Sequence, residues 1–430
     1  MLNDDSHRVF NEGEAMQFYK VFSQSLLESN ENIAGSLFNE LLTIINSKNF
    51  KITPPFDEFR ILDVIIESSF PSAPAQIRNL AFQCLETIIN AHDFSGKSIK
   101  TIIGALGNQF PDFDNEFEIK IFRFYQLASS KSQDYQQCIL YTLKYADIAS
   151  SLLHQYSNPE ILHEAFLFVS SIFNYPTSEL FSNKIAEIIP NLEPSPDRSF
   201  LITRISVVMP VSLSKIGFDV VITSILDQIN TNENQLIIDG LITLRGVIKC
   251  SKEGFDFDFS IIFNFLSNED IQIRTAAVSI LTEIIFSFGD KGIHLLIENN
   301  IYKLISENLS NIVSIKEKTE CIRFVSAFLY SIPNSEVDFV NPEIICELAE
   351  SMAIDDFNLQ ILIMKTLEKM ANTQNEEIIN DINQSLEDSG GMSLIIDYMS
   401  CENEQLAQSS STLYAALQTP DLSDIDSDDF

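Results

Sequence analysis

The sequence is poor in the residues that break a chain into short pieces. Among 430 residues there are 13 glycines and 14 prolines, thin punctuation for an all-β protein of this size, whose turns call for both at short intervals. Positive charge is also scarce: 27 lysines and arginines against 61 aspartates and glutamates leave a formal net charge of −34. That balance repels nucleic-acid phosphates and anionic lipid head groups, so neither is an expected general partner. Two readings of the surface stay open. Acidity either only keeps an extended molecule soluble, or it also attracts basic proteins and peptides. The chain does not open with a basic stretch followed by an apolar one, which argues against a secretory signal. The most apolar segment, 200–226, is interrupted by Arg204, Lys215 and Asp219, and it reads as a pair of buried helices, not a membrane span. The six cysteines (Cys84, Cys138, Cys250, Cys321, Cys346 and Cys401) form no Cys-x-x-Cys pair and read as reduced thiols in the cytoplasm or nucleus.

Hydrophobic residues make up 45% of the chain and include 33 phenylalanines, too many to leave in water, so most of it is expected to fold. A single core rarely serves this length; either two or three domains or a repeat array is required. The pattern favours the array. Apolar residues at Ile77, Leu80, Ala81, Cys84, Leu85, Ile88 and Ile89 form the stripe of a helix buried along one face. Ile273 to Ile285 repeats it in register, down to an arginine at the second position (Arg78 and Arg274). Taking Ala81 and Ala277 as anchors, equivalent helices are expected around Leu37, Ile121, Ala165, Ile205, Gly240, Cys321, Ile363 and Ser409. Their intervals run from 35 (205 to 240) to 46 residues (363 to 409), close to the period of armadillo and HEAT units. Ser267 or Asn268 is expected to cap the helix through Ala277. No linker rich in Gly, Ser or Pro interrupts the array, which predicts one continuous run over 14–417, a polar flank over 1–13 and an acidic disordered tail over 418–430.

Residues Asn268 to Leu309 resemble a complete armadillo unit. A long helix through Ala277 is followed by Gly292-Ile-His-Leu-Leu-Ile-Glu-Asn-Asn-Ile-Tyr-Lys-Leu-Ile305, with Asn299 and Asn300 where the family has a corner glycine. Asparagine and glycine both tolerate the left-handed backbone of such a corner. The segment from Ser385 restores the glycines at Gly390 and Gly391. The resemblance implies an all-α, right-handed superhelical solenoid of about ten armadillo/HEAT-like repeats. It also implies that the residues two and six after each anchor face a concave groove: Gln83 and Thr87, Arg123 and Leu127, Leu167 and Ser171, Ser279 and Glu283, Arg323 and Ala327, Lys365 and Lys369. Nuclear-import adaptors of this family carry Trp/Asn pairs there. This chain has no tryptophan, which disfavours that role. Lys318, Arg323, Lys365 and Lys369 instead suggest a local basic stripe able to grip an acidic or phosphorylated segment, although ordinary pairing with neighbouring carboxylates accounts for them too.

Other motifs carry less. Ala91-His-Asp-Phe-Ser-Gly-Lys-Ser98 matches the loosest phosphate-loop pattern, but a helix is expected before it, and only Gly96 is glycine. The five histidines show no metal-ligand spacing, so no cofactor or metal is expected. Ser423 and Ser427 stand among aspartates, as phosphorylation sites of acidophilic kinases do. The tail reads either as a plain solubilising segment or as a linear motif anchored by Leu422, Ile425 and Phe430. The expected function is a non-enzymatic scaffold or adaptor that binds other proteins. The alternatives are a regulatory subunit of a phosphatase, kinase or chaperone complex, and a nucleotide-binding enzyme built on the weak phosphate-loop match.

Overall fold

The structure is a computed structural model that describes residues 12–25, 31–46, 60–91, 96–107, 115–142, 153, 158–177, 179–251, 257–333, 340–373 and 375–418. The tail, with Ser423 and Ser427, and the residues before Glu12 lie outside the described set. Every regular element among the described residues is a helix. The first begins at Glu12 and the last ends at Leu417. By internal packing the chain groups into two compact units, 1–221 and 222–430.

In the first unit the long helices Glu31–Ile45, Ala75–Ala91, Asn115–Lys131, Pro159–Ile172 and Pro196–Val208 each pack on the next. In the second, Asn234–Cys250, Ile271–Phe288, Ile315–Ser331, Phe357–Ala371 and Glu404–Leu417 do the same. Shorter helices lie between them. All ten anchors fall on these long helices, and nine are buried. The exception is Leu37, which is half-buried while Phe38 is fully enclosed, so the register there is one residue late. Several anchors are small because neighbouring helices come close. A Cβ on the anchor Gly240 would stand 2.7 Å from Cγ2 of Ile229; on the short helix Asp290–Glu298, one on Gly292 would stand 2.6 Å from the Ile284 carbonyl oxygen.

The few prolines and the Asx/Ser residues mark helix starts. Pro159, Pro196 and Pro342 occupy first-turn positions, behind Asn158, Ser195 and Asn341, whose side chains accept the next free N–H groups. The helix through Ala277 is capped by Asp270, not by Ser267 or Asn268. Asp270 accepts from the Gln272 N–H at 2.7 Å, while Asn268 accepts from the Asp270 N–H at 2.8 Å and turns the chain into it. The corner expected at Asn299–Asn300 is present: Asn300 is left-handed at φ 54° and Gly390 at φ 75°, each just before a short helix. The apolar 200–226 segment holds more than a pair of helices. Pro210 and the positive φ of Gly217 break it, placing a short helix Leu213–Ile216 between its long neighbours.

Ile271–Phe288 is long and apolar enough to cross a membrane, and 56% of it is buried within the fold, where it packs on the helices either side. The same 40-odd-residue period appears in the polar contacts. Arg123 pairs with Glu164, 41 residues on, and Arg274 with Glu317, 43 residues on. Thr366 donates to the Ser326 carbonyl at a separation of 40. Donors at or just past the end of one long helix also cap the C-terminal carbonyls of the one before: Lys131 reaches the Asn90 carbonyl at 3.2 Å and Tyr175 the Ser130 carbonyl at 3.2 Å.

Candidate functional site

The positions expected to line a groove divide into two kinds. Of the residues two after an anchor, Gln83, Arg123 and Lys365 are exposed, whereas Ser279 is buried. Of those six after, Ser171 and Ala327 are buried. Glu283 is drawn toward Arg245 at 3.5 Å. Leu167, Arg323, Thr87, Leu127, Glu283 and Lys369 are half-buried, so exposed positions occur only in the first set.

The four cations of the expected basic stripe meet different fates. Lys318 is held by Glu347 at 2.7 Å. Arg323 donates to Asp356 at 2.7 Å and lies 3.6 Å from Glu320. Lys369 donates to the carbonyls of Leu329 at 3.2 Å, Tyr330 at 2.8 Å and Ile332, and so caps the helix Ile315–Ser331. Burial lowers its pKa below the ordinary lysine value. These three are committed within the fold. Lys365 alone of the four is exposed and makes no hydrogen bond or ion pair among the described residues.

Lys365 opens onto a cleft of about 380 Å³ between the helices Phe357–Ala371 and Glu404–Leu417. Glu368, Gln405, Gln408, Ser409 and Thr412 complete its lining. Thr412 donates to Glu368 at 3.1 Å, which orients that carboxylate away from full freedom. Gln405, Gln408 and Thr412 recur at helical spacing on one face of the last helix. The two glutamine amides both donate and accept, matching the N–H and C=O groups of an extended peptide, while the Lys365 ammonium offers three donors to a carboxylate or phosphate. The sequence reading missed Gln405 and Gln408 because it looked only at positions after each anchor, and both glutamines precede Ser409. The spacing of 405, 408 and 412 across the anchor was the available signal.

The remaining motifs place plainly. Gly96 opens the helix Gly96–Gly107 and the element before it is the helix Ala75–Ala91, so the strand that a phosphate loop requires is replaced by a helix. Residues 92–95 lie outside the described set. His163 hydrogen-bonds Asp197 at 2.8 Å on the surface, and no cluster suited to a metal occurs among the described residues. Cys84, Cys138 and Cys321 are core residues. Burial, with Glu317 and Glu320 nearby, pushes the Cys321 thiol up to about 12, far from a reactive thiolate.

No family model and no curated protein matches the chain. Its likeness is to solved structures. One is the crystal structure of an engineered protein, similar at a TM-score of 0.63 and 13% identity over 94% of this chain and 99% of that one. In all, 337 chains of known structure match, and such a likeness of fold by itself names no activity.

Proposed function

We propose that the protein is a non-enzymatic scaffold or adaptor, a helical-repeat solenoid of armadillo/HEAT type that holds an acidic or phosphorylated segment of a partner protein against its long helices. The observation that carries this reading is the unpaired Lys365 over a polar cleft built by two consecutive long helices. In a chain with 61 acids, a cation left without a counter-ion is costly in no way at the surface, but it is available. Gln405 and Gln408 beside it supply backbone-matching groups at helical spacing. A single exposed charge pair contributes well under about 1 kcal/mol, so affinity rests on several such contacts along an extended ligand.

The test is comparative affinity purification of the full chain and of Lys365→Glu, read by quantitative mass spectrometry with and without phosphatase treatment of the lysate. The reading expects a partner whose recovery falls at least about tenfold with the charge reversal, equivalent to 1.4 kcal/mol. The same partners recovered equally by both proteins would overturn it.

A further inference from the structure

The second unit carries an apolar row apart from the Lys365 cleft. The first residue of each of three consecutive long helices is a large, exposed hydrophobe: Ile271, Ile315 and Phe357, exposed by 46%, 79% and 52%. The three helices pack successively and run in register, as the Arg274–Glu317 and Thr366–Ser326 bonds show by their separations of 43 and 40 residues. Equivalent ends therefore lie side by side. Between the first two helices the row deepens into a groove of about 410 Å³ lined by Leu266, Leu304, Ile312 and Val313, with the Arg274–Glu317 pair in its wall. Val313 is 95% exposed. First helical positions have no need of an apolar side chain, and polar residues serve there without cost. Ile271, Leu304, Val313, Ile315 and Phe357 are thus five large exposed hydrophobes along the row and its groove, a patch of the kind that marks an interaction surface.

The spacing and the charge point to one occupant. Packed helices lie roughly 8–10 Å apart, so successive members of the row repeat at about that distance. Residues seven apart on an α-helix are about 10.5 Å apart along its axis. The row is flanked by Glu269 and Asp355, exposed acids with no ion pair among the described residues, each standing two residues before a row member. Among the described residues, Lys316 is the one exposed cation beside it without an ion pair, and the chain as a whole carries −34. We propose that this row docks an amphipathic helix of a partner protein, one with apolar residues at seven-residue intervals and lysine or arginine on its flanks.

The probe is a fluorescein-labelled helical peptide of about 18 residues, with leucine at every seventh position, lysine flanking and alanine elsewhere. Its controls are a scrambled peptide and a version with glutamate for lysine. Fluorescence anisotropy with the full chain should show binding of the patterned lysine peptide at least about tenfold tighter than either control. Val313→Ser with Ile315→Ser, both highly exposed positions, should abolish the difference while the circular dichroism spectrum stays unchanged. Lys365→Glu should leave it intact, so failure here and failure of the Lys365 cleft are separate results. Equal binding of patterned and scrambled peptides would show plain charge attraction and overturn the proposal, as would preference for the glutamate peptide. Sedimentation showing a dimer that Val313→Ser and Ile315→Ser dissociate would assign the row to a second copy of this chain and overturn it too.

Discussion

Breaking the Arg274–Glu317 pair tests whether long helices are joined by specific polar bonds or only by apolar contact. Arg274 bonds Glu317 through two nitrogens, at 2.6 and 2.9 Å, and donates to the carbonyls of Asn268 at 2.7 Å and Glu269 at 3.1 Å. The Glu317 side chain is 9% exposed and that of Arg274 25%. Removing one partner of a buried pair costs about 3–5 kcal/mol. The partial exposure of Arg274 lets solvent recover some of this, so Arg274→Met should cost about 2–4 kcal/mol. Most of that is the penalty of an uncompensated carboxylate. Arg274→Met with Glu317→Met removes the orphan and should cost about 1–2 kcal/mol, less than Arg274→Met alone. Because neighbour contacts dominate in stacked helices, loss should be local. Amide hydrogen exchange of the helices Ile271–Phe288 and Ile315–Ser331 is the assay, with urea unfolding alongside. A double variant at least as unstable as Arg274→Met, or an Arg274→Met variant within about 0.5 kcal/mol of the parent, would refute the argument.

Gly292→Ala should destabilise by about 1–3 kcal/mol despite alanine's better helix propensity, since its Cβ would meet the Ile284 carbonyl at 2.6 Å; a higher thermal midpoint would contradict this. Ala277→Leu, at a position with no exposure, should overpack the junction by about 1–3 kcal/mol, and an unchanged midpoint would mean the helix is not in tight contact. At Asp356, burial pushes the carboxyl up, but the Leu359 N–H and the Arg323 guanidinium outweigh it and hold the pKa below the ordinary 3.8. A folded-state pKa below the unfolded one gives stability that is present above that value and lost as pH falls beneath it. Asp356→Asn keeps the cap and should flatten the decline in thermal midpoint below about pH 4; an identical acid limb in both proteins would count against it.

Much of the helix framework could be read from apolar spacing alone. Residues such as Ala81, Ile121 and Ala277 are buried for the reason their pattern suggested, because one helical face must leave water and i, i+4 neighbours leave it together. The left-handed corner at Asn300 was legible because few residue types adopt that conformation. What failed depended on local competition. Asp270 displaced Asn268 as the cap because three consecutive polar residues, Asn268-Glu269-Asp270, all offered themselves and only the backbone path chooses. Leu37 lost its place to Phe38, where two adjacent hydrophobes made the register ambiguous.

The basic stripe shows where face-reading stops. A helix face is a property of one segment, but whether a cation on it is free depends on a residue some 40 positions away. Arg323 and Lys365 hold the same place after their anchors, Cys321 and Ile363. Arg323 is neutralised because the next long helix is capped by Asp356, whose one oxygen accepts the Leu359 N–H at 3.0 Å while the other accepts Arg323 at 2.7 Å. The corresponding cap after Lys365 is Asn403, which accepts from the N–H groups of Gln405 and Leu406 at 3.2 Å and carries no charge. The two junctions thus differ by an amide where the preceding one has a carboxylate. Asparagine and aspartate cap equally well, so Asn403→Asp should leave thermal stability within about 0.5 kcal/mol. It should also supply Lys365 with a counter-ion and reduce recovery of its partners in the direction of Lys365→Glu, whereas Asn403→Ser, also a good cap, should not. Partner recovery by Asn403→Asp equal to the parent, in a preparation where Lys365→Glu has lost it, would show that the cap does not control the cation.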